Sequence, residues 1–575
     1  MKNNSIFATM NTLKSHTRTR AQESTQAIER LYVTMRHLFN RGFYKPMGVS
    51  GESLRESLLT LRPEIYGSIT EEKIELQGLL YVMDRLPHGI EECQYINLTS
   101  NEGYEDSHFE PIIPLKRRRN CYRIDSEQMN IEITRGRSEI YDILTHLSFL
   151  FIESHKIMKQ VLINEEGDVI RDWKKLEQTV LKKGKLTQVE KEVTLTHTAN
   201  FLGRTFEEVK NVYPFFATEQ NENRFFNIIY FLGKLAIDEV IEDRKRIITF
   251  SPVLRERLGH HIHGEVWAYR IKQSLSEQGL LGRPLHIISA NMHSVMNTLY
   301  AQKALPQEFA KKSSMQVFEL LSSPTNQALR DKVMKTATAD GMVFLEDISG
   351  TNIDVQIIDT SKISSPEYID GIKDLEESKK PVIVVMDYAF GEQAYETMDE
   401  LLKPYRDENN KRILLNVGSV SIMGKAGILE GGKGDIMIPS AHVFEGTADN
   451  YPFHNQIDKS LFKDDDVNVY TGTMISVLGT SLQNKDVLKF FHNSTWNVIG
   501  LEMEGAHYQK AIQAAAKIRR SISPRVKVRY AYYASDNPLE TGSTLASGGL
   551  GATGVKPTYL ITEKMLKQIL DTPKK

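Results

Sequence analysis

Two short segments near the C-terminus hold residues whose types and spacing suggest chemistry. The stretch Asn497–Ala506 carries Glu502, Met503 and Glu504 just ahead of Gly505, and a helix-length further on Tyr532–Leu539 carries Ser535 and Asp536. An apolar run that ends on acids and opens into a helix, followed by a second run that ends on an aspartate, sets two carboxylates on one rim of a sheet. Two acids in different surroundings can divide acid and base work between them. Taken singly, each has a plainer reading: Glu504 as a helix N-terminal acid, Asp536 as a turn residue before Asn537-Pro538.

Positioning such a rim requires strands that all end on one side. From Gly279–Pro284 onward, short apolar runs rich in β-branched residues alternate with helical stretches, the signature of an α/β domain with a mixed or parallel sheet. The expected strands are Leu285–Ser289, Val382–Met386, Ile413–Val417, Asp435–Ile438, Val467–Met474, Val498–Leu501 and Val526–Ala534. Met342–Leu345 and Val355–Ile358 fit a hairpin, and helices fit Glu392–Leu402, Gly505–Arg519 and Thr558–Leu570. Ligands of open α/β sheets bind outside the carboxyl ends of the strands, so Gly418, Ser419, Glu502, Met503, Glu504 and Asp536 are expected around one cleft.

Further segments fall into a recognisable order. Gly391–Ala394 follows the Val382–Val385 strand, Ile413–Ser419 ends Asn-Val-Gly-Ser, Gly434–Ile438 begins Gly-Asp-Ile, and Glu445–Tyr451 and Tyr470–Thr473 precede the Glu-Met-Glu-Gly and Ser-Asp segments. Together these resemble the nucleoside phosphorylase and nucleosidase superfamily over roughly residues 284–575. The resemblance implies cleavage of an N-glycosidic bond, which builds positive charge on the sugar and negative charge on the base, much as glycoside hydrolysis does. By resemblance, Glu504 would accept the ribose 2′ and 3′ hydroxyls with Met503 against the sugar, and Asp536 would protonate the purine. Asp536 must then stay protonated near neutral pH, which an apolar surrounding would achieve. Ser535–Leu539 is most similar to the Ser-Asp-Lys-Pro-Leu stretch of AMP nucleosidases, which favours a nucleotide.

The nucleophile stays open. Neither Ser289–Ser294 nor Leu415–Ser419 carries the arginines that phosphorylases of the superfamily place around phosphate, so water is favoured, with His293 as a candidate base. The acid that nucleosidases of the family carry after the first strand is also absent from this segment. A purine nucleoside phosphorylase, with phosphate as co-substrate on the Gly418–Ser419 amides, and a catalytically silent nucleotide-binding protein remain alternatives. No cofactor is expected, and the resemblance implies a homo-oligomer.

Residues 23–278 read as a mainly helical region of no assigned role. Ile28, Leu31, Tyr32, Met35 and Leu38 share one helical face, as do Ile140, Ile143, Leu144, Leu147 and Phe151, and Thr205 before Glu207 and Glu208 marks a helix start. Residues 1–22 hold no acid and are expected to form a disordered tail. The run Lys116–Arg119 could grip phosphate, yet lacks aromatic neighbours for nucleic acid and reads as a solvated loop. Asp142, His146 and Glu153, and the cluster His260, His261 and His263, carry metal-binding side chains, but a site needs ligands converging from other elements, and none is expected.

Composition narrows the partners. With 72 basic against 74 acidic side chains among 575 residues, no global field draws in nucleic acid or a membrane surface. Only Cys93 and Cys121 are present, which fits a reducing, cytoplasmic setting. The run Phe225–Leu232 is far short of the roughly 20 apolar residues of a membrane span.

Overall fold

The computed structural model describes residues 20–116, 119–182, 184–363, 372–447, 449–540 and 551–571. The first half is built on the helix Gly136–Val161, which is buried on nearly all sides. It packs against the helices Arg20–Arg41, Val49–Leu61 and Arg224–Ile241. Ile28, Leu31, Met35 and Leu38 are buried in Arg20–Arg41, the face expected from their spacing. That helix begins inside the expected tail; residues 1–19 lie outside the described residues. Thr205 forms a capping box with Glu208 at the start of Phe206–Val212, so two orphan amide groups are satisfied reciprocally.

Helices are not all of this half. It also holds a six-stranded sheet of β1 (Phe43–Tyr44), β2 (Tyr95–Thr99), β3 (Pro111–Ile112), β4 (Cys121–Arg123), β5 (Gln128–Glu132) and β6 (Ile247–Phe250), in the order β1-β6-β2-β5-β4-β3. These strands have two to five residues, too few for a period of two to stand out in the sequence.

The second half holds the larger sheet. Its strands are β7 (Leu285–Ser289), β8 (Met342–Leu345), β9 (Val355–Asp359), β10 (Val382–Met386), β13 (Val417–Ile428), β14 (Ile436–Phe444), β15 (Asn450–Pro452), β16 (Val469–Ser476), β17 (Val498–Glu502) and β18 (Lys527–Asp536), while β11 (Tyr405–Arg406) and β12 (Arg412–Ile413) form a separate ribbon. β7 runs parallel to β10 and β13, and β8 and β9 make the expected antiparallel hairpin. Successive side chains of β10 serve opposite faces: Val382, Val384 and Met386 join one apolar core, Ile383 and Val385 another. Burial on both faces explains why the strand reads as an unbroken apolar run.

Beyond β13 the sheet curls. β13 pairs with β18, β18 with β14, β14 with β16, β16 with β17, and β17 returns to β13, closing a ring of five strands. The two halves share apolar packing. Ile28, Tyr44 and Leu144 of the first half belong to one buried cluster with Val443, Ile475, Leu501 and Met503 of the second. The helix Ile262–Glu277 packs the other way, with Trp267, Ile271 and Leu275 in the core of the larger sheet.

Candidate functional site

β17 ends on Glu502, whose carboxylate turns back into the protein rather than outward. It accepts the Ser476 hydroxyl, the Glu504 amide at 2.6 Å and the Gly505 amide, and only 3 % of the residue is exposed. The Ser476 oxygen in turn accepts the Ala506 amide at 2.9 Å. Glu502 therefore fixes the start of the helix Gly505–Gln513, where amide groups lack intrahelical partners. The carboxylate expected to bind substrate is thus occupied by a hydroxyl and two amides. Burial raises its pKa to about 7 against the hydrogen bonds that lower it.

Gly505 has to be glycine. A β-carbon there would stand 2.4 Å from the His442 ring and 2.5 Å from the Tyr532 hydroxyl, which lie 3.1 Å from each other. Glu504, at the mouth of the helix, accepts the Gly391 amide on Oε1 at 2.9 Å. Burial, then the neighbouring Glu502, raise its pKa to about 8. Met503 is buried beside it, near Gly391.

Asp536 closes β18 with 2 % of its surface exposed. Ser535 donates its hydroxyl to Asp536 Oδ1 and also stands 3.1 Å from the Ala426 carbonyl. Oδ2 is buried without a hydrogen-bond partner among the described residues. Burial raises the pKa of Asp536, opposed by the Ser535 hydrogen bond and by Lys425 and Lys433. A carboxyl in this setting favours its neutral, proton-carrying form.

Strand register relates the two acids. Leu501 of β17 pairs with Gly427 of β13, and Gly427 pairs on its other side with Asp536. Two inter-strand spacings separate Leu501 from Asp536 across that glycine, roughly 10 Å of backbone. The Glu-Met-Glu segment and Asp536 thus flank a single strand at the same level of the sheet.

Gly418 and Ser419 are not at this rim. They lie at the start of β13, where Val417 pairs with Leu285 and Ser419 with His286 across a register shift at Gly418, and Ser419 is buried with its hydroxyl 2.7 Å from His286 Nδ1. The strand runs on for nine residues past Ser419, at about 3.3 Å each, before it ends at Ile428. The carboxyl-end segment is Gly424-Lys425-Ala426-Gly427, opposite Tyr532–Asp536. A second glycine pair further along the same apolar run was the available signal.

His293 is exposed one residue into the helix Met292–Ala304. It lines a cavity of about 480 Å³ with Asn291, Arg330, Lys425 and Tyr533, and neither Glu504 nor Asp536 faces that space. A second cavity, about 400 Å³, lies between the halves. Tyr32, Arg137 and Tyr141 from the first half face Glu445, Ser476 and His507 from the second. Glu445 is 2 % exposed with both carboxyl oxygens unbonded among the described residues, and burial raises its pKa to about 8.

The candidate metal side chains have other partners. Glu153 pairs with Lys156 at 2.7 Å, Asp142 faces His146 at 3.5 Å, and His263 bonds the Ser349 carbonyl at 2.6 Å. Among the described residues no group of three or more His, Cys, Asp or Glu side chains is arranged to hold a metal ion. None of the described helices is long and apolar enough to cross a membrane.

The chain matches the model of a family of unknown function, DUF6909, over residues 52–329 and 315–571. It belongs to that family. No curated protein matches the sequence. Among solved structures, it is similar to a mutant Helicobacter pylori methylthioadenosine/S-adenosylhomocysteine nucleosidase with 5′-methylthioadenosine in the active site, at 11 % identity and a TM-score of 0.30, over 50 % of this chain and 98 % of that one. The Campylobacter jejuni nucleosidase of the same name matches at 10 % identity and a TM-score of 0.29, over 50 % and 98 %. The futalosine hydrolase of Helicobacter pylori matches at 11 % identity and a TM-score of 0.28, over 50 % and 97 %.

Proposed function

We propose that this member of the family cleaves the N-glycosidic bond of a purine nucleoside or nucleotide, with water as the attacking group. The observation that carries the reading is the placement of Asp536 and the Glu-Met-Glu segment on either side of Gly427. Asp536, whose pKa burial raises, delivers its proton to a nitrogen of the base as the glycosidic electron pair leaves with it. Glu504 accepts sugar hydroxyls on Oε2 and, as it ionises, stabilises the positive charge that grows on the sugar. Water adds to the anomeric carbon, and a proton from it restores Asp536.

Two hydrogen bonds hold this pair in place. Gly391 orients the Glu504 carboxylate and Ser535 the Asp536 carboxyl, which keeps Oδ2 for the ligand. Incubation of the purified chain with adenosine, inosine and AMP, with and without phosphate, tests the proposal by chromatography of the products. Free base with ribose or ribose 5-phosphate in phosphate-free buffer is expected. Base release that requires phosphate would replace hydrolysis with phosphorolysis, and no base release from any of the three would overturn the reading.

A further inference from the structure

The run Lys116–Arg119 does not end as a solvated loop. Arg119 is buried, with its side chain 1 % exposed, although the charge of a guanidinium persists in any protein environment. Its Nε lies 3.3 Å from Glu139 Oε1, but neither Nη1 nor Nη2 finds a hydrogen bond among the described residues. Arg119 lines a cavity of about 260 Å³, with Lys116, Arg135, Glu139, Asp142 and Phe390. A buried donor left dry is costly, so the free edge of this fork calls for an acceptor.

The two acids of the cavity already have partners. Glu139 Oε2 accepts the Thr134 and Arg135 amides at 2.7 and 2.8 Å, and Asp142 Oδ1 faces His146 and the Ser481 hydroxyl. Three cations thus line the space, one of them buried with two unbonded nitrogens, while the carboxylates already have amide, imidazole and hydroxyl partners. Guanidinium forks match phosphate oxygens two at a time, and the volume holds a phosphate group with a few waters.

We propose that this cavity binds the phosphate of a sugar phosphomonoester, gripped by the Arg119 fork with Arg135 and Lys116 at the rim. Phe390 links it to the rim of acids, because the next residue, Gly391, donates its amide to Glu504. Resting on the proposed function, this makes the substrate a nucleotide rather than a nucleoside. The first half of the chain then supplies the phosphate grip and the second half the sugar and base chemistry.

Calorimetric titration of the full chain with ribose 5-phosphate, ribose and inorganic phosphate tests the assignment. Ribose 5-phosphate is expected to bind about tenfold or more tighter than either other ligand, the gain of a charged hydrogen-bond pair. Arg119→Gln is expected to remove that difference. Arg135→Gln, at an exposed side chain, is expected to narrow it. Ribose 5-phosphate no tighter than ribose would overturn the proposal, as would both variants binding it like the unaltered chain. Inorganic phosphate binding as tightly as ribose 5-phosphate would overturn the sugar-phosphate assignment. Arginine-dependent binding without base release from any nucleotide would leave this site standing and remove the glycosidase reading. Base release from adenosine and AMP at equal rates and affinities in all three proteins would do the reverse.

Discussion

Ser535 holds Asp536 by one oxygen: its hydroxyl lies 2.5 Å from Oδ1, while the buried Oδ2 meets no donor among the described residues. That asymmetry suits a carboxyl that must present its proton in one direction. Asp536→Asn keeps the shape and removes the acid. It is expected to lower base release by about 10² to 10⁴, the usual contribution of a positioned proton donor, with ligand affinity changed only a few-fold. Single-turnover product analysis beside a binding titration checks the split.

The pH profile of turnover follows from the same group. Burial raises the Asp536 pKa, so the proton-carrying form persists above the ordinary range for an aspartate and is lost as pH rises through the shifted value. Base release is therefore expected to fall on the alkaline side. A profile measured from pH 5 to 9 that rises throughout would contradict the assignment.

Ligand binding should carry the opposite dependence. Glu504, with a pKa of about 8, is largely protonated at neutral pH in the free chain and accepts two hydroxyls best once ionised. Affinity for ribose-bearing ligands is expected to increase from pH 6 to 8 with release of up to one proton, and Glu504→Gln to flatten that slope. Calorimetry in buffers of different ionisation enthalpy measures the proton directly.

Stability is tied to these acids as well. Burial raises the pKa of Glu504 and Glu445 to about 8 and that of Glu502 to about 7, all above the ordinary glutamate value of 4.5. Between these values the folded chain holds protons that the unfolded chain has lost, so stability falls as pH rises from about 4.5 to about 8 and then levels. Glu445→Gln, isosteric and uncharged, is expected to lessen the decline. Urea titrations at pH 5.5 and 8 compare the two proteins.

Gly391 couples the halves through a backbone position. Its φ is +55°, and a β-carbon there would fall 2.2 Å from the Ser138 hydroxyl of the first half. Gly391→Ala is expected to cost about 1 to 3 kcal/mol and to weaken ligand binding through the displaced Glu504 partner. Thermal unfolding and a binding titration on the same sample check both effects.

The sequence displays residues whose surroundings are local and conceals those whose surroundings are assembled from afar. β7 and β10 run where their apolar stretches lie, and the acids stand at strand ends because Gly505 and Pro538 interrupt those stretches. Gly418 and Ser419 mislead because Asn-Val-Gly-Ser has the composition of a strand end, whereas β13 passes through it and stops only at Ile428. Glu502 and Glu504 are indistinguishable by type. Only the folded helix start shows that one is consumed by the amides of its own helix while the other turns to the Gly391 amide. Arg119 reads as part of a polar loop because nothing nearby in the chain announces Glu139 or Phe390 above it.

The cluster that joins Ile28 and Tyr44 to Leu501 and Met503 has a practical consequence. Excising either half as a stand-alone fragment would strip oily surface bare and leave the Met503 side of the rim without its covering. Such fragments should be sticky and poorly behaved, so the two halves are best regarded as one inheritable unit that evolution can tune but not shuffle.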